Sequence, residues 1–410
     1  MIKNLSLLAF SLGISLINPL SSVVAQVPVP QPIDIDIPVI HNPSPTKLPP
    51  LQKVDINTVC TPQNCLGWDE QLWGRDGDKT ALLNAIDNSL LYLQHHQAAE
   101  IYQNYPIKEI TLSRVRRSLL HFRQLVVSSS SAAELQAAIR REFVFYRSVG
   151  NDNQGTVQFT AYYRPVYMAS RVRTAVYKYP VYRLPPNFQK WPKPHPKRVD
   201  LEGKNGLLGN KSRLRGLELL WFSNRLDPYL IHIQGSAQIK LTNGQTTSIG
   251  YAGATDYPWT SIGKEVAKDG KLPLSGLTMP KLISYFRQNP RELNNYLPRW
   301  ERFVFFAETN NAPAIGSLAI PVTADRSIAT DKSLMPPGAL ALIINSFPYP
   351  NDRGQLESRL VQRFVLDQDT GNAIKGPGRV DYFMGTGQLA GDRAGISGGR
   401  GSLFYLLLKE

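Results

Sequence analysis

A chain of 410 residues holds only two cysteines and six histidines. The histidines are scattered and none falls in an HExxH spacing. Cys60 and Cys65 stand apart from them with TPQN between, so a closed zinc site lacks its further ligands. Neither cysteine has a histidine close by in sequence, and His232 sits in an apolar run read as a strand, where a satisfied core residue is the ordinary outcome. Nucleophilic triads are left without a candidate. Acids are also outnumbered, 32 Asp and Glu against 46 Lys and Arg, for a formal charge of +14.

What is present at the N-terminus reads as an export signal. Lys3 supplies a positive start, Leu5 to Leu20 is mostly apolar, and Val23-Val24-Ala25 offers small residues for cleavage after Ala25. The run is too short and too interrupted by Ser and Gly for a comfortable membrane span. No cysteine stands at the cleavage point, so a lipid anchor there is unsupported. Removing the signal takes away Lys3 alone and turns +14 into +13. Outside the cytoplasm such an excess suits cell-wall polymers or membrane surfaces rather than nucleic acid, and a merely solvated surface explains it equally well. In an oxidising compartment Cys60 and Cys65 are expected to bridge a short loop, a local staple rather than a large source of stability.

Residues 26–57 are rich in proline and read as an extended linker. From Asp78 to Ser148 the apolar spacing becomes helical, in ALLNAIDNSLLYLQHH, LSRVRRSLLHFRQLV and SSAAELQAAIRREFVFY. Ser131 with Glu134 suggests a capping box for the last. Tyr92, Phe122 and Phe143 are expected in the core. From Gly155 the period shortens to two. VQFTAYYRPVY, TAVYKYPVYRLP, LDPYLIHIQGSAQIKL and QTTSIGYAG read as strands, the last two joined at Asn243-Gly244, a strong hairpin signal. One short helix is expected over Thr278–Gln288. Strands follow over Arg302–Ala307, Ala314–Val322, Ala339–Asn345, Leu360–Leu366, Arg379–Met384 and Leu403–Leu408. The order predicts an α+β, mainly β chain with barrels and a boundary near Arg299. RLPPNFQKWPKPHPKRV, a basic loop with Phe188 and Trp191, is read as a linker whose aromatics fold back onto the barrel, against the alternative of a sugar-binding loop.

Gly385-Thr-Gly387-Gln-Leu-Ala390 fits a dinucleotide fingerprint, but too little chain remains for the helix, return strand and acid that such a site needs. Carboxylate chemistry is the remaining candidate. Asp331, Asp369 and Asp381 stand near strand ends or glycine turns. In RVDYFMG, alternation puts Asp381 on one face with Phe383 and opposite Val380 and Tyr382. A carboxyl beside an aromatic ring, away from bulk water, holds its proton and suits a general acid. The plain alternative is an aspartate exposed on an edge strand.

The segment DTGNAIKGPGRVDYFMGTG resembles the end of the membrane-bound lytic transglycosylase A family, with its C-terminal 3D domain. The likeness runs upstream through RSIATDKSLMPPGALALI, RFVFFAE and PYLIHIQGSAQIKLTNGQTTSIGYAGATDYPWTSIGK. It implies a double-psi β-barrel assembled from an N-terminal helical part, 58–158, and the 3D segment, 301–410, with a second β domain, 159–300, inserted between them and a groove separating the two. It implies that Asp381 is the sole catalytic acid/base, that Asp369 and Asp331 support it, and that Gln234, Gly235, Ser236, Tyr251 and Gly253 face the groove. Gly385 is expected to let backbone approach sugar, and Lys375 or Arg379 to meet acidic groups of the substrate. The implied activity is cleavage of peptidoglycan to 1,6-anhydromuramyl ends by a periplasmic enzyme, with no metal or cofactor. The implied partners are glycan strands and cell-wall synthesis or lytic machinery, with peripheral outer-membrane contact, for a protein acting as a monomer. Ala161, Arg164, Asp256 and Trp259 depart from the residues usual in the family. A non-catalytic wall-binding module and a two-carboxylate hydrolase are the alternatives.

Overall fold

The structure is a computed structural model that describes residues 49–56, 66–74 and 77–410. The expected export signal and the Cys60–Cys65 bridge lie outside these residues. In chain order the elements are β1 (Leu51–Val54), α1 (Lys79–Tyr92), α2 (His96–Gln103), α3 (Leu112–Ser128), α4 (Ala132–Glu142), β2 (Phe143–Ser148), β3 (Val157–Arg164), β4 (Val166–Ala169), β5 (Tyr179–Tyr182), α5 (Arg198–Glu202), β6 (Glu218–Phe222), α6 (Leu226–Gln234), β7 (Ser236–Leu241) and β8 (Thr246–Ala254). They continue with α7 (Ile262–Lys268), α8 (Met279–Gln288), α9 (Leu293–Tyr296), β9 (Val304–Glu308), β10 (Ser327–Ala329), β11 (Leu340–Pro350), β12 (Leu356–Asp369), β13 (Arg379–Thr386), α10 (Gln388–Ile396) and β14 (Arg400–Leu408).

The helices form where the period of three and four requires them. In α3, Val115, Leu119, Phe122 and Val126 make the buried stripe, and the Thr111 side chain accepts from Arg114 N at the start. Ser131 caps α4 by accepting from Glu134 N. The return arm of the expected capping box goes one residue astray: Glu134 accepts from the backbone and hydroxyl of Ser130. The helix ends at Glu142, not at Tyr146 as its apolar spacing suggested. Phe143–Ser148 is rich in aromatic and β-branched residues and pairs antiparallel with β14, which supplies hydrogen bonds a lone helical turn would not.

The main sheet is mixed and closed. Strand β14 pairs with β11, β11 with β12, β12 with β10, β10 with β13, β13 with β3, and β3 again with β14. The β10–β12 and β13–β3 pairs are parallel and the remainder antiparallel. Val157, Phe159, Ile328, Val380 and Tyr382 are buried in the core of this barrel-like sheet, α1 and α3 pack against it, and Phe364 meets Phe122 of α3 edge-on. Tyr92, Phe122 and Phe143 belong to the same core, as expected.

Between β3 and β10 the chain makes a second sheet, ordered β4-β7-β8-β9, and a β5-β6 pair. The β7–β8 hairpin turns at Asn243-Gly244, with Gly244 at φ 85°. Three expectations fail in or beside this region. Leu226–Gln234 is helix α6 rather than strand, ended by Gly235 in the left-handed conformation. The stretch Ala314–Val322 is loop apart from an Ile315–Pro321 bridge. Helices α5, α6, α7 and α9 accompany the single helix anticipated at α8. Phe188 and Trp191 fold back as expected, packing on Phe305 and beside His195.

A buried ion cluster fastens the segment before α1 to the barrel. Arg326 is fully buried and donates to Asp69 Oδ2 at 2.5 Å, to Phe364 O at 2.8 Å and to Asp78. Asp69 also accepts from Phe364 N at 2.9 Å.

Candidate active site

Asp381 owes its position to register. Parallel pairing of β13 with β3 sets Asp381 beside Thr160, and the β10 pairing sets it beside Ala329. Alternation buries Val380 and Tyr382 in the barrel and turns Asp381 and Phe383 outward, onto the wall of a cavity of about 3160 Å³. The cavity also takes lining from the second sheet and from α6, α7 and α8.

Ala329 has Asp369 on its other side across the β12 pairing, so the two aspartates flank one residue of the central strand. Their Cα atoms are therefore two strand spacings apart, roughly 10 Å. The two carboxylates are treated differently. Asp369 Oδ1 accepts from Ser317 N and Thr370 N, both at 2.8 Å, and its Oδ2 accepts from the Tyr162 hydroxyl at 2.8 Å. Lys332, bonded to Asp367, also donates to the Asp369 carbonyl. Asp381 Oδ1 accepts from Thr160 Oγ1 at 2.7 Å, and Oδ2 has no protein partner among the described residues.

Burial pushes the Asp381 carboxyl above its ordinary range; the neighbouring Asp369 charge adds to this, while the Arg379 charge and the Thr160 hydrogen bond oppose it. Burial likewise raises Asp369, against its three hydrogen bonds and Lys332. Asp331 behaves in the opposite way. Burial alone would raise it, yet hydrogen bonds from Ser333 and Gly376 N, with the charge of Lys375, hold it below the usual carboxylate value. Its Oδ2 accepts from Gly376 N at 2.9 Å, so Asp331 fastens the loop that carries Lys375 and does not itself line the cavity.

Of the other expected residues, Gln234, Gly235, Ser236, Tyr251 and Lys375 line the same cavity as Asp369 and Asp381. Gln234 accepts from Tyr163 N at 3.1 Å, tying the end of α6 to β3, and Tyr251 is 57% exposed. Gly253 and Gly385 do not line the cavity. A side chain at Gly253 would strike Leu184, and Gly385, at φ 100°, lies against Ala324.

The helix thought absent after the GxGxxA pattern does form, as α10. The following strand β14 still runs antiparallel to β11 and β3, not parallel beside β13, and carries no acid. The spacing GxSxG does occur, at Gly395–Gly399. Its Ser397 caps the end of α10 and donates to Arg393 O, whereas a nucleophile elbow needs a strand before it and a helix after. His232 is buried in α6, accepts from Arg198 at 3.0 Å, and is held neutral by burial and that charge. Of the departures from the family pattern, Arg164 is buried and donates to Ala312 O, and Trp259 packs edge-on to Trp300. Among the described residues no cluster of His, Cys, Asp and Glu fits a metal ion.

Sequence reading did not single out Thr160 and Tyr162. Both lie on the cavity-facing alternation of β3, but only the parallel register with β13 reveals their partners.

Residues 158–307 match the family profile of the MltA specific insert domain and residues 326–407 that of the 3D domain. A membrane-bound lytic murein transglycosylase A homolog from Buchnera aphidicola is 30% identical over 266 residues, covering 64% of this chain and 70% of the relative. The chain belongs to the membrane-bound lytic murein transglycosylase A family. The Escherichia coli member is 32% identical over 249 residues; the match covers 60% of this chain and spans 64% of that relative's length. Among solved structures, E. coli MltA with bound chitohexaose superposes with a TM-score of 0.67 at 25% identity, covering 88% of this chain and 95% of the other. A membrane-bound lytic murein transglycosylase from Agrobacterium tumefaciens shares the fold, with a TM-score of 0.65 at 24% identity over 87% of this chain and 97% of that one.

Proposed function

We propose that this protein is a peptidoglycan lytic transglycosylase in which Asp381 is the single acid/base. The observation that carries the proposal is the pairing of two unlike carboxylates on one cavity. Burial raises both carboxyls, but Asp381 keeps Oδ2 unbonded among the described residues, while Asp369 has both oxygens engaged by three donors. Family membership supports the same reading.

A glycosidase that uses water needs a second carboxylate as nucleophile or base, about 5–5.5 Å from the acid for retention or about 6.5–9.5 Å for inversion. Asp369 is the poorer candidate for that base because three of its about four lone-pair sites are taken by fixed donors. The substrate then supplies its own nucleophile. Protonated Asp381 donates to the oxygen bridging N-acetylmuramic acid and N-acetylglucosamine, and that C1–O bond breaks through an oxocarbenium-like transition state. The Asp381 carboxylate takes the proton of the muramic C6 hydroxyl as its oxygen bonds to C1. The products are a 1,6-anhydromuramyl end and a free N-acetylglucosamine 4-hydroxyl, with no net consumption of water.

In this reading the closed six-strand ring is a double-psi barrel built from residues 58–158 and 301–410, residues 159–300 are the inserted domain, and the cavity is the glycan groove. That E. coli MltA was crystallised with chitohexaose supports a glycan as ligand. Asp369 and Asp331 set the electrostatics and loop geometry, and Gln234, Gly235, Ser236, Tyr251 and Lys375 contact sugar or its acidic substituents. The chain is exported to the periplasm after cleavage at Ala25 and meets the outer membrane peripherally as a monomer. Among the described residues no helix is long and apolar enough to cross a membrane.

The test is digestion of purified glycan strands by wild type and Asp381→Asn, with ends identified by mass spectrometry. Anhydro ends from wild type alone are expected. Reducing ends would assign a hydrolase, and equal product from both proteins would remove Asp381 from the chemistry.

A further inference from the structure

We propose that Thr160 and Arg379 form a positioning relay that makes Oδ2 the only proton-carrying oxygen of Asp381. This rests on Asp381 being the acid/base of the preceding section.

The relay follows from donor and acceptor inventory. Arg379 Nη2 donates to Thr160 Oγ1 at 2.8 Å, and Thr160 Oγ1 lies 2.7 Å from Asp381 Oδ1. A guanidinium has donors only, so it must occupy a lone pair of the threonine oxygen. The single threonine proton is then free to point at Asp381, and no other acceptor is bonded to it among the described residues. Were Oδ1 protonated, Thr160 would have to accept twice and leave its own proton unbonded. Oδ1 is therefore an acceptor whether Asp381 is neutral or ionised, and the transferable proton resides on Oδ2. Strand register builds this arrangement. Arg379 and Asp381 are alternate residues of one β13 face, and Thr160 is the β3 residue paired with Asp381.

The relay also sets acid strength. Burial of Asp381 disfavours its anion, and the Thr160 hydrogen bond and Arg379 charge favour it. An acid that must give its proton to a glycosidic oxygen and then reclaim one needs both influences. Thr160→Val keeps the shape of the side chain and removes the donor, so the anion loses stabilisation and Asp381 becomes a weaker acid.

The test is the pH dependence of anhydro-product formation by wild type, Thr160→Val, Thr160→Ser and Arg379→Gln. Because the reaction begins with protonated Asp381, its ionisation sets the high-pH limb. Thr160→Val is expected to move that limb up by about one pH unit, a tenfold change in dissociation constant, and to lower kcat more than it changes KM. Arg379→Gln is expected to move the limb in the same direction, and Thr160→Ser to restore it. Titration of the 13C-labelled Asp381 carboxyl reads the same shift without turnover, and thermal melts verify that each variant is folded. A limb and a titration unmoved in folded Thr160→Val, or equal in Thr160→Ser and Thr160→Val, would overturn the relay. Undiminished activity in Asp381→Asn would instead overturn the catalytic reading beneath it.

Discussion

The Tyr162 hydroxyl stands 2.8 Å from Asp369 Oδ2, and its ring leans on Phe383 with centroids 5.1 Å apart. One side chain thus touches Asp369 and the strand that carries Asp381. Burial, then the Asp369 charge, pushes the Tyr162 hydroxyl well above its ordinary pKa, so it stays a donor throughout the working pH range. Tyr162→Phe keeps the ring contact and removes that donor from an ionised or ionisable partner. We expect a loss of roughly 1.5–3 kcal/mol in stability at neutral pH, read by denaturant unfolding, together with reduced anhydro-product formation.

Asp381 should cost the fold stability at neutral pH. Its folded pKa is raised, so stability is fully present below the unfolded value of about 4 and is lost as pH rises through the folded value. Asp381→Asn does not ionise and escapes that loss. Thermal unfolding is expected to place the variant above wild type at pH 7, with the gap closing as pH falls below about 4. A variant less stable than wild type at pH 7 would refute this.

Arg326 and Asp69 form a pair with no access to solvent. Removing one partner strands the other charge in the interior. Arg326→Ala is expected to destabilise by roughly 3–5 kcal/mol, measured by urea titration. The exposed pair Arg359 and Glu357 provides the contrast, since Arg359→Ala should change stability by less than about 1 kcal/mol.

Gly378 ends the turn that leads into β13, and its amide donates to Asn151 Oδ1 at 3.1 Å. A Cβ there would run into the backbone nitrogen of Asn151. Gly378→Ala is expected to shift the start of β13, lowering activity while leaving far-ultraviolet circular dichroism near that of wild type. Gly354→Ala meets no steric obstacle, and although its φ of 74° carries local strain, its activity should be unaffected.

Periodic stretches were legible. The helices of residues 79–142 and strands β11 to β14 follow spacing, and the outward direction of Asp381 follows from alternation alone. LDPYLIHIQ was misread because an almost continuously apolar run has no diagnostic period; burial on nearly every side lets it be a helix. Strand β10 is too short for any period, yet it separates the two aspartates. The apolar residues of Ala314–Val322 mimic a strand, but Ala319 at φ 58° breaks it. Thr160 stayed hidden for another reason. Its significance is a partner 221 positions away, and no local pattern encodes a parallel pairing of that span.

The strand that closes the ring is the last one, β14, joined to β3 at Arg400–Gln158 and Gly401–Val157. Strand β3 also pairs directly with β13 from Gln158–Arg379 to Arg164–Thr386, so Thr160 and Asp381 meet only once segments 221 positions apart have joined. Such distant pairing forms late in folding. On the proposed reading, a copy in which β3 and β13 have not yet paired presents Asp381 as a plain solvated carboxylate, so the acid is made by folding and not by its own residue type.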